Sequence, residues 1–427
     1  MSKKTIIIFI TVFITTGIIL FGLYFFFNKK NTSNTTNTWY QNFNPFGTST
    51  NTNVDTNIPT TNTNNQNTNT TTPEVVTSRF YKITDFAIAG ATFFDELKII
   101  TTDTNLGNGG TETTNNLQNT NSQETKMTPT IEYIERKNGH IYKMPWDSKV
   151  AEKISNSTIP NIYEAFFNSF NKTVIYRYLS VDNTISSFMA TLGADKGEFL
   201  PQNIYDISIS KDKNKFFYLT KNDNGVTGAI GSFGSTKREV VFNSPFTEWL
   251  SEWDTNQKIF LTTKPSYDVL GSMFMLNSTN KTTTKVLGGI AGLTTTINGK
   301  GTLVLYSSST KTGPKLGVFD INKHLTKDLD SYGLSEKCVW ALDAVTIYCA
   351  VPNTILGNQY PDYWYQGLIS FDDYFVKINT ETGEKVTIAN SINETPVDGT
   401  HLFLSNNEDT LFFTNKKDYT LWSLDLR

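Results

Sequence analysis

The feature that most limits what this chain can fold into is a recurrence of short apolar strands at near-constant spacing. They open at Ile131 (IEYIE), Val174 (VIYRY), Phe216 (FFYLT), Ile259 (IFLTT), Leu303 (LVLYS), Val345 (VTIYC) and Leu411 (LFFTN), at successive intervals of 43, 42, 43, 44, 42 and 66 residues. Most follow a polar turn such as SKDKNK or SNNEDT, and each is followed by another alternating strand, as in HIYKM, LGSMFML, KLGVF and TLWSLDL. Period-two patterning between polar turns predicts strands. A repeat of this length carrying several short strands is the pattern of a propeller blade, a unit that buries its sheet only by stacking on a neighbour. Seven openings predict an all-β, seven-bladed β-propeller with four strands per blade. After Leu411 there is room for only one more strand before Arg427, so the last blade lacks its outermost strand. SRFYKIT, Ser78 to Thr84, has strand character without a blade of its own and is predicted to fill that place. AGATFF, Ala89 to Phe94, then becomes the innermost strand of blade one.

Departures from the period locate loops, and such loops usually lie on a binding face. The 66-residue interval places an inserted loop at 352–372 in blade six, and a smaller departure falls at Gly193 to Asn203. The polar stretch 101–128 reads as a flexible insertion in the first blade. In the blade-six loop, Tyr360, Asp362, Tyr363, Trp364 and Tyr365 form a candidate binding surface, with Phe371, Tyr374, Asp372 and Asp373 close by. Aromatic faces beside carboxylates suit stacking on sugar rings or anchoring a protein. The same composition also suits a segment folded back onto the ring, since large exposed apolar patches are rare.

Upstream, Thr5 to Phe27 is an uncharged apolar run of 23 residues bracketed by Lys3, Lys4, Lys29 and Lys30. That length crosses the hydrocarbon of a bilayer. Phe25, Phe26, Phe27 and Asn28 stand where a cleavage site would need small residues, so residues 1–30 read as an uncleaved signal-anchor. A short stub before it and a long polar remainder after it fit N-in, C-out insertion, which puts the propeller outside the cytoplasm of a single-pass membrane protein. Between them, residues 31–77 form an Asn/Thr-rich linker: from Asn31 to Thr72, 28 of 42 residues are Asn or Thr. Such a segment buries too little apolar surface to offset its ordering entropy and is expected to be a disordered tether. The propeller occupies 78–427.

Cys338 and Cys349 flank a turn at Asp343 and Ala344 and stand equally far from it, so a tight hairpin places them opposite each other. A cross-strand disulfide is the expectation, in keeping with an oxidising exterior. Two buried free thiols are the alternative. An ideal two-residue turn would put this pair at a hydrogen-bonded site, which suits a bridge less well.

Little in the chain points to chemistry. The net charge of -3 supplies no basic surplus for a phosphate backbone, which excludes nucleic acid as a partner class. Glu248, Glu252 and Asp254 in TEWLSEWD offer carboxylates beside Trp249 and Trp253, but alternation places the tryptophans on one face and the acids at its ends or on the other. His140, His324 and His401 are far apart in sequence and suggest no metal site. GVTGAIGS has glycines at the wrong spacing for a dinucleotide and suits a hairpin. No catalytic residue, cofactor or metal is assigned.

Through its degenerate turn-then-strand units, Ser78 to Arg427 resembles bacterial WD40-like and TolB-like propellers. The segments AGATFF, NGHIYKM, TIPNIYEA, EKCVW, YCAVP and YPDYWYQG look like those of uncharacterised membrane-anchored propellers from candidate-phyla bacteria. That resemblance implies a cell-surface location and carries no activity. The expectation is a binding or scaffolding module for an envelope protein or a surface glycan. An extracellular propeller hydrolase or lyase acting on glycan or peptide is the alternative, and a component of an export or pilus machine is a third.

Overall fold

The computed structural model describes residues 79–101, 123–168, 172–181, 183–194, 197–253, 257–391 and 395–427. The expected anchor, Thr5 to Phe27, and the linker at 31–77 lie outside the described residues. Among the described residues no helix is long and apolar enough to cross a membrane.

Seven antiparallel four-stranded sheets follow one another along the chain. The second strand of each sheet sits between two partners and is covered on both faces, which is why it reads as a continuous apolar run. In blade three that strand, Lys215–Asn222, holds Phe216, Phe217 and Leu219 with no exposed surface. All seven openings in the sequence fall on such second strands or beside their first residue. The strands predicted after them are the third strands, from Ile141–Pro145 to Leu421–Asp425.

The sheets close into a ring. Ile134 and Ile141 of blade one pack with Ile162 and Val174 of blade two. Equivalent clusters join each later pair, and the last sets Phe412 and Leu421 of blade seven against Ile88, Phe93 and Ile131 of blade one. A core between every adjacent pair leaves no sheet face unpartnered. Blade seven is assembled from both parts of the chain: Phe80–Lys82 pairs with Leu421–Asp425, in the register Phe80 to Leu424 and Lys82 to Trp422. The innermost strand of blade one is Ile88–Thr101, which contains AGATFF. The molecule is thus an all-β, seven-bladed propeller.

Three local expectations need correction. Residues 123–128, expected to belong to a flexible insertion, are strand and pair with 96–101 in a hairpin extending past the blade; 102–122 lie outside the described residues. The departure at Gly193 to Asn203 supplies the outermost strand of blade two, Gly197–Phe199. GVTGAIGS is the whole third strand of blade three, Gly225–Ser232, and a Cβ at Gly228 or Gly231 would lie 2.5 or 2.4 Å from the rings of Phe217 and Phe216. Those glycines make room for aromatic core residues.

Cys338 and Cys349 are paired and bridged, with Cα atoms 4.1 Å apart. The turn differs from the ideal: the Ala341 N–H donates to Thr346 O and the Ala344 N–H to Ala341 O, giving a four-residue loop. Hydrogen-bonded and non-hydrogen-bonded pairs alternate along an antiparallel ladder. Moving the closing pair to Ala341 and Thr346 therefore puts the cysteines at a non-hydrogen-bonded site, where the backbones approach most closely.

Candidate binding face

Because strands alternate in direction, the connections from second to third strands and from each blade to the next emerge on the same face of the ring. The blade-six insertion lies there, between Thr346–Pro352 and Asp373–Asn379. Its feet are zipped together, with the Asn353 N–H donating to Asp372 O at 2.8 Å. Its middle is a strap with a small core of its own, in which Tyr360, Trp364 and Phe371 pack with Leu334. The Tyr360 and Phe371 rings stack at 5.7 Å.

The strap is fastened from blade four to blade seven. Asp362 opens a short helix, Asp362–Tyr365, and accepts from the Ser266 hydroxyl of blade four at 2.9 Å and from the Tyr267 N–H at 2.5 Å. The Ser309 hydroxyl of blade five donates to Tyr360 O. Gly292, at φ +60°, lies beneath: a Cβ there would be 1.9 Å from Ser309 Oγ and 2.9 Å from Tyr360 O. On the other side Trp364 Nε1 donates to Asp398 at 3.0 Å, Lys416 Nζ donates to Trp364 O at 2.7 Å, and Lys417 pairs with Asp372.

Under the strap sits Lys337, with no exposed side-chain surface. Its ammonium donates to Asp373 at 2.8 Å, Asp398 at 2.5 Å and Gly399 O at 2.8 Å, and lies 5.3 and 5.2 Å from the Trp364 and Phe371 ring centres. Burial works to lower its pKa, but the two carboxylates hold it above the ordinary lysine value. Burial pushes Asp373 up to about 6 despite Lys337. Asp398 is also disfavoured by burial, yet Lys337 and its other donors hold it below the usual range. Glu336, half-buried and bonded by the Tyr365 hydroxyl, is pushed up to about 7 by burial.

Of the aromatic surface expected from sequence, then, Tyr360 and Trp364 are buried, Asp362 and Tyr365 are held in hydrogen bonds, and Tyr363 is half-buried. Folding back onto the ring, the other use open to this composition, is what the strap does. Apolar groups remain exposed on the same face: Val181 and Ile185 in blade two, Phe246 before blade four, Val269 and Leu270 in blade four, and Leu356 and Leu368 on the strap.

Carboxylates near the ring centre serve as fastenings between blades. Asp206 of blade three accepts from the Ser251 N–H of blade four at 2.8 Å, and Glu252 of blade four accepts from the Thr296 hydroxyl of blade five at 2.7 Å and from the Ile297 N–H at 3.0 Å. Arg177 of blade two is bonded to Glu164 at 2.5 Å and donates to Ile204 O of blade three at 3.1 Å. Glu248 is paired with Lys221 and Lys264, while Trp249 and Trp253 are core residues between blades three and four. Asp254 lies outside the described residues. His140, His324 and His401 stand in blades one, five and seven, and among the described residues no group of three metal-ligating side chains converges. Sequence reasoning does not find Lys337, Asp373 and Asp398 as a cluster. Its one trace is a lysine directly before the apolar run Cys338 to Trp340.

The fold and this face define a seven-bladed propeller with a fastened loop-side strap. No family model matches the chain, and no curated protein matches it. Among solved structures it is similar to an oligogalacturonate lyase in complex with manganese, at a TM-score of 0.51 and 11% identity over 70% of this chain and 86% of that one. It is also similar to an oligogalacturonate lyase from Vibrio parahaemolyticus (TM-score 0.48, 10% identity, 80% and 99% covered) and to TolB from Acinetobacter baumannii (0.40, 10%, 70% and 76%). At such identities the likeness concerns the fold alone.

Proposed function

We propose that this protein is a binding module, anchored in the cell membrane and held outside the cytoplasm, which docks an envelope protein through the face that carries the strap. The observation behind the reading is that exposed apolar side chains of blades two and four and of the strap itself lie on one face, where the strap is held by polar bonds that run from blade four to blade seven. A surface that is apolar and already ordered loses little entropy on binding. The Cys338 to Cys349 bridge supports an oxidising compartment, and the apolar run at Thr5 to Phe27 supports the anchor. The segments shared with uncharacterised membrane-anchored propellers point the same way.

Proximity cross-linking in intact cells, with the full chain as bait and mass spectrometry as readout, tests the proposal. One envelope protein should dominate, and the triple variant Val181→Asp, Leu270→Asp, Leu368→Asp should lose it while keeping the wild-type melting temperature. Unchanged recovery by the triple variant would overturn the docking face.

A further inference from the structure

The cluster under the strap holds more than an ion pair needs. Lys337 stands just before the first strand of blade six, Cys338–Trp340, and Asp373 opens the third strand, 36 residues further on. Neither side chain has any exposed surface. Lys337 Nζ already touches both carboxyl groups, at 2.8 Å from Asp373 Oδ2 and 2.5 Å from Asp398 Oδ1. The two are held unalike. Asp398 Oδ2 accepts from the Trp364 indole at 3.0 Å, the Ser370 hydroxyl at 3.1 Å and the Phe371 N–H at 3.0 Å. Asp373 Oδ2 accepts from the Gly399 N–H at 2.7 Å, whereas its buried Oδ1 has no hydrogen-bond partner among the described residues. A bare carboxylate oxygen in the interior is costly, and the neutral acid lessens that cost. Burial accordingly pushes Asp373 toward the acid form, while Lys337 and the other donors hold Asp398 ionised.

An amine pressed against a carboxylic acid, beside a fixed carboxylate and shut off from water by the Trp364 and Phe371 rings, has what amide formation requires. We propose that Lys337 and Asp373 join in an intramolecular isopeptide bond, made by the folded chain itself with Asp398 as proton acceptor. The ionic cluster described above is the reactant. Lys337 passes a proton to Asp398 along their hydrogen bond, and the freed lone pair forms the Nζ–Cγ bond to Asp373. Negative charge collects on Oδ2, where the Gly399 N–H meets it. The Cγ–Oδ1 bond then breaks and Oδ1 departs as water. Of the three ammonium protons, one remains on the amide, one leaves in the water together with the acid's own proton, and one stays on Asp398. Nothing is oxidised or reduced. The bond ties the second foot of the strap to the innermost strand of blade six, and it does not depend on the docking reading.

Mass spectrometry of the full chain, reduced and then unfolded in acid, tests the proposal. After overnight incubation of the folded protein at pH 7, its mass should lie below that of the sequence by one water, and proteolysis should release a branched peptide joining Lys337 to Asp373. Asp398→Asn keeps the size of the side chain but cannot take up the proton, and should form the bond about a hundredfold more slowly. Lys337→Arg should show the full mass. Full mass in the wild-type chain overturns the proposal, whether or not either variant folds. So does a lost water that maps elsewhere, such as a succinimide at another aspartate, a branched peptide that ends at Asp398, or an Asp398→Asn chain that forms the bond at the wild-type rate.

Discussion

A lysine without exposed surface depends on its partners to keep its charge, and Lys337 has three oxygen acceptors and two aromatic faces to do so. Taking away the ammonium leaves Asp373 and Asp398 buried against each other. Lys337→Met is therefore expected to cost about 3–5 kcal/mol at pH 8, measured by urea unfolding. The sign of its pH dependence follows from Asp373, which burial already raises to about 6 and which loses its main counter-charge in the variant. A carboxyl whose folded pKa is raised takes up a proton on folding, so it adds stability as pH falls through that value. The deficit should shrink at pH 5. An equal deficit at both pH values would show that the cluster acts by shape and not by charge.

At the scale of elements, the strap is a loop that behaves as a packed unit because it brings its own aromatic core and is seated on a glycine. Gly292→Ala places a methyl group against Ser309 Oγ at a left-handed backbone position, a strain of about 1–3 kcal/mol. Roughly tenfold faster chymotryptic cleavage around Tyr363 is expected, with little change in global melting, because the opening is local. Cleavage at the wild-type rate would mean that the seat under Tyr360 does not hold the strap. The second strands are legible in the amino-acid sequence because both their faces are buried, as at Phe216 and Phe217. Outer strands such as Glu152–Lys153 and Gly197–Phe199 are not, being two or three residues long with no fully buried side chain to mark them. The pairing of Cys338 with Cys349 is legible from their distance to the turn. Its parity is not, since that depends on one bond from Ala341. Asp362 gives no sign of its role either: its partners Ser266 and Tyr267 are 96 and 95 residues away, and nothing local encodes them.

For the whole molecule, stability is a property of a closed ring in which each blade is covered on both sides. The closure rests on a strand of three residues, whose Phe80 ring meets Phe375 of blade six at 5.6 Å and Phe413 of blade seven at 6.4 Å. Phe80→Asp is expected to lower stability by about 2–3 kcal/mol and to raise hydrogen exchange first in Gly399–Asp425, the blade it completes. Exchange spreading evenly over all seven blades would instead mark the ring as a single cooperative unit. The closing contacts also set a clock: Leu421 N donates to Thr84 Oγ1 across 337 residues of sequence. At about 5–20 residues per second, a ribosome needs roughly 20 to 70 seconds to make that stretch. During that time the first strand has no partner and the blades already made stand as a growing open arc, whose two bare ends would be the natural landing place for a chaperone.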